Sequence, residues 1–190
     1  MQHWLWPVLV ILVLSTPAHA SSAPELDVTV AMHGDTIVVD VQISVDVNVA
    51  TAWGVLTDYE HMTHFVSDLR LSEVVSRYDD VSVVHQIGET RIGLFRFSYD
   101  TVRKVRLSPM TEIESTLVAG DFKSYRFSTR LYPTTSGCIV VNHGEYVPTR
   151  WVPPILGPAF IEQGTRTQYE QLRAEMLRRL AERRHASVGR

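Results

Sequence analysis

The sequence predicts an α+β fold, in which a curved antiparallel sheet of about seven strands wraps around one long C-terminal helix. Three observations carry this reading: period-two alternation over many short runs, a switch to helical spacing after Asn48, and one apolar stripe along the last segment.

The elements follow in order. Leu26, Val28, Val30 and Met32 alternate with polar or small neighbours, and His33-Gly34-Asp35 turns the chain into Ile37, Val39, Val41, Ile43, Val45 and Val47. Alternation on both sides of a glycine turn is a hairpin. Asp40, Gln42, Ser44 and Asp46 give its second arm a wet face, which makes the sheet antiparallel. Val49, Ala52, Trp53 and Leu56 then share one face of a short helix that Asn48 can cap. Asp58 ends it and is positioned to cap a second short helix from Tyr59 to Phe65.

Strand-like runs follow near Leu69–Arg77, Val81–Thr90, Ile92–Leu107, Glu112–Val118, Lys123–Tyr132 and Cys138–Val147. The breaks are Tyr78-Asp79-Asp80, Gly88 to Gly93, Ser108-Pro109, Ala119-Gly120-Asp121 and Pro133 to Gly137, with Glu89 to Gly93 readable as a turn or a bulge. Short connections between consecutive strands make a meander. From about Pro158, Ile161, Thr165, Tyr169, Leu172, Met176 and Leu180 recur every three or four residues and paint one face of a long helix. The only large surface able to receive that face is the concave side of the sheet.

At the other end, the apolar run Trp4–Leu14 leads through Ser15, Thr16 and Pro17 to Ala18-His19-Ala20, the pattern of a signal peptide cut after Ala20. The run is shorter than the ~20 residues that span a bilayer, although an uncleaved anchor is the alternative. The expected organisation is a signal peptide at 1–20, a linker at 21–25, one domain at 26–184 and a flexible tail at 185–190. Such a leader places the protein in the periplasm or outside the cell.

Charge and cysteine narrow the function. All 18 Lys+Arg and 21 Asp+Glu lie after residue 20, so the exported chain keeps a formal charge of −3. Nucleic-acid binders present basic stripes, so no nucleic acid is expected as partner. Cys138 is the only cysteine, which rules out an intramolecular disulfide, and its apolar surroundings make it a buried strand residue rather than a reactive thiol.

A hairpin, two short helices, a six-strand meander and a final long helix is the order of the helix-grip fold. Ala52-Trp53-Gly54-Val55-Leu56-Thr57-Asp58-Tyr59-Glu60-His61-Met62, followed by Phe65-Val66-Ser67-Asp68-Leu69, resembles the tandem-helix segment of the START-like SRPBCC superfamily. Within it the chain looks most like the polyketide cyclase/dehydrase and coenzyme Q-binding branch, over roughly residues 26 to 183. The resemblance implies an apolar ligand, such as a lipid, quinone, sterol or polyketide, between sheet and helix, and in a minority of members cyclisation or dehydration there. It calls for no cofactor. Trp53, Leu56, Tyr59 and Phe65 in this motif read as packing residues.

Phe95, Phe97 and Tyr99 share one face of a strand, with Tyr125, Phe127 and Leu131 on a later one. Aromatic walls with a few polar tips suit an apolar pocket. With Ile161, Thr165 and Tyr169 from the helix, they are the candidate ligand-binding residues. The competing account is that the helix stripe fills the space as ordinary core; Gly164 and Thr165, small for such a stripe, mark where room would be. His85, His143 and Glu145 are the weak acid/base candidates for an enzyme acting on an enolisable polyketide. Their other reading is exposed strand positions. Asp58, His61 and His64 fall at successive threes but lack a fourth ligand, so no metal site is expected. Arg178, Arg179, Arg183 and Arg184 read as cations at a helix C-terminus, favoured by its dipole, with transient docking to an anionic membrane surface as the second reading.

Overall fold

The alternation in Leu26–His33 (β1) and Thr36–Val45 (β2) does form a hairpin, in which Gly34 takes the φ of +62° that its turn requires. In β2, Ile37, Val39, Val41, Ile43 and Val45 are all buried, which commits one face of the strand to the interior. The structure is a computed structural model that describes residues 25–92, 95–153 and 156–188. The expected leader and its cut after Ala20 lie outside these residues.

Helix α1 spans Val49–Leu56, and Asn48 Oδ1 accepts from the Thr51 backbone N–H at 2.8 Å, as an N-cap should. The second helix is a single 3-10 stretch, Tyr59–His64, and Asp58, expected to cap it, makes no side-chain capping bond. Its carboxylate instead pairs with His61 Nδ1 and Arg179 Nη2, both at 2.7 Å. A guanidinium is a stronger partner for a carboxylate than a backbone amide, so the long-range pair prevails.

The remaining strands are β3 (Leu69–Tyr78), β4 (Val81–Ile92), β5 (Phe95–Ser108), β6 (Glu112–Gly120), β7 (Phe122–Pro133) and β8 (Cys138–Pro148). They form one eight-stranded antiparallel sheet in the order β1-β2-β8-β7-β6-β5-β4-β3, made of the hairpin and the six runs read from the sequence. Gly88 does not open a turn. β4 pairs with β5 without interruption from Val81↔Arg106 to Ile92↔Phe95, so the expected break over Gly88 to Gly93 begins only after Ile92. The glycine serves a ring, described below. Val118 is the extra residue of a bulge on β6, between the pairs Val102↔Ala119 and Arg103↔Leu117.

Helix α2 spans Gly157–Val188. It therefore continues through most of the expected tail, and Arg178 and Arg179 lie well inside it rather than at a C-terminus. Its contacts fall on β1 and β2 at one side of the curved sheet, on β4 at the other, and on α1. It grips unevenly. Leu172, Glu175 and Met176 are buried, Met176 completely, whereas no residue from Pro158 to Gln171 is. The C-terminal half thus closes the core formed with Ile43, Val55, Val84 and Val105, while the N-terminal half stands over the middle strands. No helix among the described residues is long and apolar enough to cross a membrane.

Candidate functional site

Beneath the unburied half of α2, alternate residues of β4 to β8 face inward. On β4 and β8 these are the even positions, including Gln86, Gly88, Asn142, Gly144 and Tyr146; on β5 they are odd, including Tyr99, Thr101, Arg103 and Val105. Two cross-strand pairs set an aromatic beside a glycine, Gly88↔Tyr99 and Gly144↔Phe127. A Cβ at Gly144 would stand 2.0 Å from Phe127 Cδ1, so the ring occupies the place of the missing side chain. Rings laid across glycines in this way lie low against the sheet.

Tyr125, Phe127, Phe122 and Tyr146 make one aromatic wall. Tyr125 and Phe127 are 4.5 Å apart between ring centroids, and Tyr146 meets Phe122 edge-on at 5.2 Å. Tyr99, Tyr146 and Tyr169 are enclosed by protein on nearly every side, yet each keeps accessible surface. Burial pushes the phenols of Tyr59 and Tyr99 up to about 12 and raises Tyr146 and Tyr169 as well, so all four are neutral hydroxyls near pH 7.

Arg103 stands among them. Its Nη1 donates to Tyr125 Oη at 3.0 Å and its Nη2 to Gln86 Oε1, while the guanidinium lies 5.6 Å from the Tyr125 ring centroid. Gln86 in turn donates to Ser72 Oγ at 2.9 Å, which fixes its amide. Burial works against the Arg103 charge; the phenol oxygens of Tyr125, Tyr59 and Tyr99 and the bond to Tyr125 outweigh it and raise its pKa. Arg103 Nε and Asn142 Oδ1 are buried without a partner. A donor and an acceptor left open in one interior are unusual, since buried polar groups are generally satisfied.

The structure therefore brings together Tyr99, Tyr125, Phe127 and Tyr169 from the sequence-predicted set. Phe97 and Ile161 continue the same wall and helix face, and Ile161 packs against the core; the Phe95 side chain lies outside what the structure describes. Thr165 is half-buried on the standing-off part of α2. Gly164 marks a close approach rather than a gap, because a Cβ there would meet Thr90 Cγ2 at 3.0 Å. Tyr59, expected only to pack, also contributes its phenol to the surroundings of Arg103. Arg103 itself was missed, although it shares odd parity with Tyr99 on β5, and that alternation was the available signal.

The acid/base candidates point the other way. His143 and Glu145 occupy odd positions of β8 and are exposed, with His143 Nδ1 2.6 Å from Asp40. His85 lies between inward-facing Val84 and Gln86, and its ring bridges Glu73 at 3.3 Å and Asp100 at 2.9 Å on the outer face. None of the three lines the interior.

At the far end of α2 an open groove of about 660 Å³ is lined by Asp58, His61, His64, Phe65, Arg178 and Arg183 among others. It is charged, and it is unlike an apolar pocket. Asp58 is already engaged with His61 and Arg179, and among the described residues no His, Cys, Asp or Glu cluster can hold a metal. Arg179 also bonds Glu175 at 2.6 Å and Gly54 O at 3.2 Å, while Arg183 donates to Thr51 Oγ1 at 3.0 Å. These arginines, expected to answer the helix dipole, latch α2 onto α1 and the 3-10 helix instead.

Solved structures share this architecture at low identity. A STAR-related lipid transfer protein from Xanthomonas axonopodis superposes with a TM-score of 0.66 at 14% identity, covering 83% of this chain and 96% of that one. A START superfamily protein from Mycobacterium smegmatis gives 0.63 at 15% identity, over 74% and 97%. The Zhui aromatase/cyclase from Streptomyces sp. R1128 gives 0.61 at 12% identity, over 76% and 96%. No curated protein matches by sequence. The profile of one family matches residues 45–174, from the end of β2 into α2, and the chain belongs to that family, polyketide cyclase / dehydrase and lipid transport.

Proposed function

We propose that this protein is a carrier for an apolar small molecule, a lipid, quinone or polyketide-like compound, held between the concave sheet and the first half of α2. The observation that carries the reading is the uneven grip of α2: from Pro158 to Gln171 it covers an aromatic, polar-tipped surface, with Ile161 and Tyr169 packed against the core but no residue fully buried. Such a surface binds hydrocarbon by its area and orients it through few polar groups. The similarity to a lipid transfer protein supports a carrier, and the run Trp4–Leu14 with Ala18-His19-Ala20 supports delivery in the periplasm or outside the cell. Transient membrane contact would accompany loading.

Native mass spectrometry of the purified chain, with extraction of co-purified lipid, tests the carrier reading. A stoichiometric apolar adduct is expected; a chain that stays empty against quinones, fatty acids and phospholipids contradicts it. Cell fractionation tests export, with the protein expected outside the cytoplasm.

A second reading is a cyclase or dehydratase-like enzyme. What favours it is Arg103, a half-buried cation able to stabilise an enolate, rather than His85, His143 or Glu145. Turnover of a poly-β-keto substrate, lost in Arg103→Met, would establish it.

A further inference from the structure

Arg103 poses a chemical question that an apolar ligand alone does not answer. A guanidinium carries five N–H donors, and the structure shows two of them used, to Tyr125 and Gln86. Nε donates to nothing. No carboxylate among the described residues meets the charge, and residues 1–24, 93–94, 154–155 and 189–190 contain no Asp or Glu. Buried charges are normally paired, because removing one from water costs far more than a neutral hydrogen bond returns. Here the neighbours are phenols, a cation–π contact and an amide, which solvate the cation but supply no carboxylate.

From this we infer that the ligand is an amphiphile with a carboxylate end, as in a long-chain fatty acid, and that Arg103 pairs with that carboxylate while the hydrocarbon lies along Tyr99, Tyr125, Phe127 and Tyr169. A neutral carbonyl could accept the same hydrogen bonds but would leave the charge uncompensated. A carboxylate matches the planar fork with two parallel bonds, and nearby phenol hydroxyls can donate to its remaining lone pairs. The inference rests on the carrier reading and names the chemistry of its ligand.

The test compares palmitate, methyl palmitate and hexadecanol binding to the delipidated full chain by calorimetry, above the carboxylate range of pH. Palmitate should bind at least about tenfold more tightly than either neutral probe, the difference expected of a charge-assisted pair. Arg103→Met should erase that preference and Arg103→Lys, which keeps the charge without the fork, should retain part of it. Equal affinities for the three probes in the unaltered chain overturn the inference and leave the carrier reading standing, even if R103M does not fold. Failure of all three overturns it too, and a panel of other apolar molecules then shows whether the carrier reading falls with it.

Discussion

Tyr99 lies where the side chain of Gly88 would be: a Cβ on Gly88 would stand 2.3 Å from the Tyr99 ring carbon Cζ, across the β4–β5 pair. The glycine keeps that ring low on the sheet. Gly88→Ala must push it toward α2 and into the ligand space. Overpacking of this kind costs about 1–3 kcal/mol, so a lower urea midpoint is expected together with a loss of ligand affinity. Retained affinity in a folded variant would remove Tyr99 from the site.

Arg179 latches the closing half of α2. It joins Asp58, Glu175 and the Gly54 carbonyl and lies 5.5 Å from the Phe65 ring centroid. Arg179→Ala leaves Glu175, 6% exposed, with Arg178 as its one remaining partner among the described residues. Breaking partly buried pairs of this sort costs about 2–4 kcal/mol, read as a fall in the denaturation midpoint.

The same cluster sets acid sensitivity. Hydrogen bonds from Arg178 and Arg179 hold the Glu175 carboxyl below its ordinary value despite burial. A carboxylate depressed in the folded state adds stability above its unfolded pKa of about 4.3 and loses it as pH falls through the lower folded value. Stability should therefore drop below about pH 4, and Glu175→Gln should flatten that part of the profile, as urea midpoints across a pH series would show.

His85 acts with the opposite sign. Burial works against its charged form, but hydrogen bonds to Asp100 and Glu73 prevail and raise its pKa. Its contribution is full below the unfolded value of about 6.5 and is lost as pH rises through the folded one. An NMR titration should place the His85 ring above the ordinary histidine range, and Asp100→Asn should bring it back down.

The outer-face residues should be dispensable for binding. His85→Ala, His143→Ala and Glu145→Ala are each expected to leave ligand affinity within about twofold, because they remove no wall of the interior. A tenfold loss in any one would place the ligand on the wrong face of the sheet.

Strand boundaries were legible because alternation and turn residues are local, and Tyr99, Tyr125 and Phe127 followed from parity, whereas Phe122 joins their wall only through the register shift before Ser124. What sequence did not reveal is long-range. Asp58 looked like a cap because its partner Arg179 is remote in sequence, and Gly88 looked like a turn because its reason is a ring on the next strand. Arg103 reads as a solvated strand cation unless the parity of β5 is carried past Tyr99. Which face is concave, and where α2 stands off, depend on how strands at opposite sides of the sheet approach the helix.

Ligand is expected between α2 and the middle of the sheet. Intermolecular NOEs from a bound, isotope-labelled alkyl chain measure this most directly. One ligand should show NOEs to the ring protons of both Tyr169 on α2 and Tyr125 on β7. NOEs confined to Phe65 and Ala186 in the charged groove, or to exposed Trp151, would contradict it.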